Sequence, residues 1–453
     1  MQQHTERLGS APLASLLVRL SLPSIAATVT ASLYNVVDTF WVARLGYEAI
    51  AALTIVFPYQ ILAVAIGIGT GIGVSALVSR HFGENDIGAT NHVAGQIFSA
   101  SVFWGLVFLL AAVFFSEDIL VLFGATPDIM DQSTKYLVLT AYGAPAHVFA
   151  LVAGNLIRGS GDAVRPMVIM ISASVLNIIL DPFMILGIGP FPEMGIRGAA
   201  LATVIAQSVG ALIGLYYLLG HRTTFRFTLR HLVPSWPILR DIYKVGTPAS
   251  IQEITESLSF VLFNNVVSAF GSIAIAAVGL IIRVSDLMFM PIIGVSNALL
   301  PVVGYNYGAK NEKRVWQAVK LSSLGLAVLL GLSTIIYEVW APQIVGIFSR
   351  NQELLDMTVP AMRIMLSTMI FIGPSIMFVT VFQGLSKGTM ALFLSLIRQF
   401  LMFVPLLYIL SHFFDLQGVW LALPISDVLS FLVTFVFLYR EYLKRKHAAA
   451  AGI

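Results

Sequence analysis

Long apolar runs broken by short polar connections dominate the chain from one end to the other. Crossing the hydrocarbon core of a bilayer takes roughly 20 apolar residues in a helix. Runs of that length fall at 14–42, 52–78, 93–115, 136–157, 167–188 and 198–219, and a second six at 247–270, 274–300, 315–340, 359–384, 391–412 and 418–439. The strands of a membrane barrel would show short segments of alternating polarity instead. The pattern predicts an all-α polytopic membrane protein with 12 spans. Pro23, Pro145, Pro182 and Pro405 lie inside these runs, and a proline removes one helical hydrogen bond, so kinks are expected there.

Only 11% of the 453 residues are charged and 58% are hydrophobic, whereas a soluble domain is roughly 25% charged. That balance excludes a soluble enzyme, a nucleic-acid binder and a disordered regulator. The chain has no cysteine, which removes disulfides, Cys-ligated zinc and iron–sulfur clusters. The net charge of +3 matters less than where the charges lie. The even-numbered connections and the termini hold 20 of the 26 Lys and Arg, including Arg222, Arg226, Arg230, Arg240 and Lys244, then Lys310, Lys313, Arg314 and Lys320, then Arg440, Lys444, Arg445 and Lys446. The odd connections hold Arg44, Lys135, Arg197, Arg350 and Arg363, which leaves Arg283 in a span. Positive charge marks the inner side, so both termini are expected to be cytoplasmic. The first run follows a polar tail and continues into Tyr34, Asn35 and Asp38 without a cleavage site, as a first span does and a signal peptide does not.

A shift of 225 residues brings the two halves into register. LYNVVDTFWVARLGYEAIAAL (33–53) falls on LSFVLFNNVVSAFGSIAIAAV (258–278), Pro23 on Pro248, Gly46 on Gly271, and SRHFGEND (79–86) on GYNYGAKN (304–311). Six spans per half is an even number, so both halves enter from the same side and are related by an axis along the membrane normal. The expected organisation is a first lobe over 1–220, a basic cytoplasmic linker over 221–244 and a second lobe over 245–453. Two similar bundles around a central cavity can rock open to either side.

Charged groups inside such a protein need a reason, since an ionised carboxylate at mid-membrane costs about 2.5–3.5 kcal/mol even on lenient scales. Asp38, Asp181, Glu253, Glu256, Asp286 and Asp427 fall in or near spans. The repeat ranks them: Asp38 aligns with Phe263 and Thr203 with Leu423, while the counterpart of Asp181 falls in the apolar stretch near Pro405–Leu410. The first half thus carries polar residues that its sister lacks. Tyr34 and Asp38 share a helix face, as do Asn177 and Asp181, and Pro182 frees a carbonyl beside the latter pair. Two acids in a poorly hydrated site would titrate together and carry a proton; the same oxygens suit Na⁺. Asn155, Asn177 and Thr203 fit either that site or helix–helix hydrogen bonding. Glu256 fits a second ion site or a cavity wall, Asp286 a pairing with Arg283, and Met288 packing or an adaptable substrate surface.

The motif P-x₁₁-N-x₂-D-x₇-G (Pro23, Asn35, Asp38, Gly46), with IRGSGD (157–162), NIILDP (177–182) and GYNYGAKN (304–311) in order, resembles the multidrug and toxic compound extrusion (MATE) transporters over essentially the whole chain. The resemblance implies a V-shaped pair of six-helix bundles in the cell membrane, without a cofactor, that exports organic cations in exchange for H⁺ or Na⁺ and works as a monomer. It places Asp38, Asn155, Asn177, Asp181 and Thr203 in the first-lobe cavity of the DinF-like branch; Tyr34, on the face of Asp38, joins the coupling candidates by its spacing, and Asn35 and Met288 are candidates for the substrate cavity. Glu256 matches a second-lobe carboxylate of the NorM-like branch, but that branch's tenth-span aspartate falls near Ile376 here, so coupling through the first lobe is expected. The competing expectation is a lipid-linked-precursor flippase of the same broad superfamily. That function would call for a basic cavity.

Overall fold

The computed structural model describes residues 2–220, 224–349 and 351–450; Arg222 and Arg350 lie outside them. All regular structure among these residues is helical. The first lobe contains α1 (Gln2–Ser10), α2 (Leu13–Val42), α3 (Tyr47–Gly83), α4 (Ile87–Leu122), α5 (Pro127–Ala141), α6 (Ala144–Gly159), α7 (Val164–Leu186) and α8 (Ile196–Leu219). A single turn, α9 (Leu229–Leu232), lies in the connection. The second lobe contains α10 (Trp236–Ser268), α11 (Ser272–Gly308), α12 (Glu312–Phe348), α13 (Gln352–Leu366), α14 (Met369–Gly384), α15 (Gly388–Leu396) and α16 (Val404–Ala450).

These helices make the 12 spans expected from the sequence, six in each lobe. α5 and α6 meet at 48° and α13 and α14 at 44°, each pair forming one bent span. α15 runs through a wide π-helical turn at Ile397–Phe403 into α16. Pro405 follows that turn and lacks the N–H that would close it tightly. Within α16 the chain reverses at Phe414 and Asp415, the latter at φ 49°, so its remainder is the twelfth span. Arg398 pairs with Asp427 across this hairpin at 3.1 Å. Of the expected kinks, Pro145 sits at the α5–α6 bend, while α2 and α7 run on through Pro23 and Pro182.

The repeat survives in backbone detail. Gly46 and Gly271 take φ 108° and 96° at equivalent turns, and Asn85 and Lys310 take φ 59° and 57°. Asp86 caps α4 by accepting from the Ala89 N–H at 2.8 Å, and Asn311 caps α12 by accepting from the Arg314 N–H at 3.2 Å. Each cap satisfies a donor the helix start leaves open.

The ends of the helices near Gly83, Gly159, Trp236, Gly308 and Gly388 carry most of the basic residues and are called the basic end; the other is the far end. α3, α11 and α12 are 37 residues each, roughly 55 Å at 1.5 Å per residue. That exceeds the hydrocarbon core of about 30 Å, so these helices project past it. α10 starts at Trp236, inside the stretch expected to be linker. The chain before it is strapped to α4, where Gln96 donates to the carbonyls of His231 (3.0 Å) and Val233 (2.9 Å) and accepts from the Ser235 N–H at 2.7 Å.

The lobes meet through the halves of α2, α3, α10 and α11 nearest the basic end. Gly69 and Gly73 bring α3 onto the backbone of Ile242, Gly246 and Ser250, and Gly304 and Gly308 bring α11 onto Ala76, Ser79 and Arg80. Such small residues allow backbones to touch where no hydrophobic force drives helices together. α1 spans the seam: Thr5 donates to the Ser160 carbonyl at 3.0 Å, and Asn306 to the Leu8 carbonyl at 2.9 Å. Toward the far end no lobe-to-lobe hydrogen bond or close glycine contact occurs among the described residues; Ser32, Asn35 and Thr39 of α2 and Arg283 and Leu287 of α11, which continue the faces that touch at Gly294, are exposed, so the lobes part around a cleft.

A four-member ion cluster ties the basic end of the second lobe together. Glu441 pairs with Lys387 and Arg445, both at 2.6 Å, and Arg445 with Glu312 at 2.7 Å. Burial alone would push the Glu441 carboxyl up, but Lys387 and Arg445 beside it hold it below the usual range. Its stabilising contribution is therefore present at neutral pH and lost as pH falls through the depressed value. Arg445→Ala leaves two part-buried acids short of a donor and is expected to cost about 1–3 kcal/mol, read as a lower unfolding temperature of the purified protein in detergent.

Candidate functional site

The face of α2 that packs into the first lobe carries the chemistry. α2 turns three stripes in three directions. Val18, Leu22, Val29, Leu33, Val36 and Phe40 are exposed and apolar, the face a lipid surround requires. Thr28, Ser32, Asn35 and Thr39 continue, toward the far end, the stripe on which Ser21 and Ile25 touch Gly294 of α11; Ser32, Asn35 and Thr39 are exposed there and line the cleft. Asp38 is on neither. It is 8% exposed and turned into the first lobe, where α2 packs against α7.

There Asp38 meets Asp181, which is fully buried, and the two carboxyls are in side-chain hydrogen-bonding contact. The glycines of α8 set the rest of the site. Gly198 rides on the Met184 carbonyl and Gly210 on Ala173, so α8 lies close along α7 and brings Thr203 against Asn177. With its amide oriented to satisfy both ends, Asn177 donates to Asp181 Oδ2 at 3.1 Å and accepts from Thr203 Oγ1 at 3.3 Å. Tyr34 lies one turn before Asp38, close enough to feel both carboxylates. One Asp38 oxygen, Oδ1, is buried without a partner. A buried acceptor without a donor is costly, and a proton or a cation at the pair would satisfy it.

Two neighbours escaped the sequence reading: Tyr136 on α5, which senses Tyr34 and both acids, and Gln60 on α3, hydrogen-bonded to it. The only signal for Gln60 was an amide within an apolar run. Asn155 is not brought to the pair. It lies one turn from the basic end of α6, donates to the Leu151 carbonyl and accepts from Arg158, both at 3.0 Å, whereas Asp38 lies one turn from the far end of α2.

In the second lobe the counterparts are apolar. Phe263, aligned with Asp38, is 3% exposed and packs on Phe403 at 5.8 Å between ring centres. Met288 is likewise 3% exposed within the second-lobe core and lines no cleft. Glu256 is exposed on α10, one turn above Gln252, with Glu253 close enough to repel it. The expected Arg283–Asp286 pairing does not form, although the two are a turn apart. Arg398, overlooked as a span residue, is the arginine that is neutralised within the membrane, by Asp427.

Paired lobes that close at one end, part at the other, and bury a carboxylate pair beside the cleft define a membrane transporter of the alternating-access type. The sequence profile of the MatE family matches the chain twice, over residues 23–183 and 248–409, one match per lobe. The chain belongs to the MatE family, and it is a transporter rather than an enzyme. It is 29% identical to the FAD transporter of Shewanella oneidensis and 25% identical to the multidrug export protein MepA of Staphylococcus saprophyticus, in each case over 93% of both chains. A solved structure of an outward-facing multidrug resistance MATE family transporter of the MOP superfamily superposes with a TM-score of 0.91, at 28% identity, covering 97% of this chain and 98% of that one.

Proposed function

We propose that this protein is a proton-coupled antiporter of the plasma membrane that exports amphipathic organic cations, with Asp38 and Asp181 carrying the proton. The observation that bears most weight is the orphaned Asp38 Oδ1 facing a partner that Asn177 serves as a donor. A shared proton satisfies that oxygen and leaves the amide where it is. A sodium ion would turn the amide over, with its nitrogen on Thr203 Oγ1 at 3.3 Å; the direct carboxyl-to-carboxyl contact of Asp38 and Asp181 calls for a shared proton and favours H⁺. Asn177, Thr203 and Tyr34 position the pair, and Gln60 and Tyr136 extend the same polar network. MepA is named for multidrug export, and the acids around this cleft suit cations. One arginine, Arg283, falls short of the basic lining that the flippase alternative calls for.

The basic end faces the cytoplasm on this reading, so the closed seam makes the conformation outward-facing. Protonation from outside neutralises the pair and changes how α2 packs on α7. The cleft-lining stripe of Thr28, Ser32, Asn35 and Thr39 is on the same helix, so substrate is released as α2 shifts. Deprotonation toward the cytoplasm resets the cycle. One charge crossing the full membrane potential supplies about 2.3 kcal/mol per 100 mV. Glu256 is proposed as part of the cavity wall. Asn177→Ala removes the donor to Asp181 and is expected to slow export roughly tenfold, the scale of one hydrogen bond to a charged group; ethidium efflux from proteoliposomes under an imposed pH gradient measures it. Unchanged efflux in that variant would remove Asn177 from the site.

A further inference from the structure

Arg283 stands in a membrane span with no partner among the described residues. It lies on α11 about 16 Å from the far end at 1.5 Å per residue, near mid-membrane. Gly294, roughly three turns away and therefore on the same face, touches the Ser21 carbonyl and Ile25 of α2. Beyond that contact the helices part. Arg283 and Leu287 are exposed on this face, opposite the Ser32, Asn35 and Thr39 stripe of α2. Arg283 makes no hydrogen bond or ion pair with any described residue, and this separates it from Arg398, held by Asp427 at 3.1 Å. Asp286 is exposed a turn below on the same helix without reaching it. Glu253 continues the α10 stripe of Gly246 and Ser250 that packs on α3, and lies about 6 Å deeper by helix rise. The cleft thus presents a free guanidinium above the Glu253 carboxyl.

A guanidinium offers a fork of donors that matches a carboxylate or phosphate. We infer that Arg283 is a specificity-determining residue that receives the anionic group of a substrate, so that the cleft accepts zwitterionic amphiphiles as well as simple cations. The cationic part lies toward Glu253 below, and the anionic part meets Arg283. This rests on the export reading above.

Rhodamine 123 and rhodamine 110 share one cationic xanthene. The first carries a methyl ester and the second a free carboxylate. Proteoliposomes containing wild-type protein are expected to export both dyes under a pH gradient. Arg283→Gln is expected to lose rhodamine 110 export at least tenfold while keeping rhodamine 123 export within about twofold, which also shows that the variant folds. Arg283→Lys is expected to restore part of the carboxylate export. Equal effects on the two dyes in Arg283→Gln, or wild-type export of the ester alone, would overturn the inference and leave the export reading intact. Export of neither dye by wild type would overturn both.

Discussion

Asp38→Asn is expected to abolish uphill export while leaving the protein folded. The substitution is close to isosteric and removes the group that exchanges a proton, so the apolar packing of α2 on α7 is kept. Asn cannot change its charge as the cleft opens to either side, and the pH gradient then does no work on substrate. Vesicles with an acidic interior, from which protons run out in exchange for dye, should show ethidium accumulation fall to the protonophore-treated level. Downhill dye movement is expected to persist in part, because the seam and the cleft are untouched. Asp181→Asn is expected to behave alike, since each acid is the other's partner. Uphill export by Asp38→Asn at the wild-type rate would remove the pair from the mechanism.

The second large effect is at the seam. Gly69→Val places a Cβ 2.6 Å from the Gly246 carbonyl oxygen, backbone atoms that cannot rotate away. Overpacking of this kind costs about 1–3 kcal/mol, and here the cost falls on the closed basic end alone. The population closed at that end should drop by one to two orders of magnitude, and export with it. The chain has no cysteine, so spin labels at Tyr47→Cys and Ser272→Cys, repeat-related positions at the far end, report the lobe separation without background. Gly69→Val should shorten that distance distribution. An unchanged distribution with normal export would mean that the α3–α10 contact does not set the closure.

The membrane fold was legible because lipid demands long apolar runs, and the repeat was legible because turns such as Asn85–Asp86 and Lys310–Asn311 keep the same backbone geometry. Helix length beyond the bilayer was not, since polar ends of α3 and α12 look like loops to a hydropathy reading. Asp38, Asp181, Asn177 and Thr203 come together as their helical spacing suggested. Asn155 does not, because spacing along one helix fixes a face and leaves depth open; one turn from the basic end, it serves Arg158. Tyr136 and Gln60 reach the acids from α5 and α3 through tertiary packing alone. Arg283 and Asp286 have the spacing of an ion pair, yet Arg283 turns along the cleft face and Asp286 lies off it, and nothing in their spacing reveals which side of α11 faces the first lobe.

Proton release on substrate binding tests the central claim most directly. Purified protein in weakly buffered detergent solution near neutral pH, with a pH indicator, is mixed with excess ethidium. The pair should release protons when the cation binds, wild type should acidify the solution, and Asp38→Asn and Asp181→Asn should not. Equal acidification by wild type and both variants, or none by wild type in the presence of demonstrated binding, would contradict proton coupling through Asp38 and Asp181.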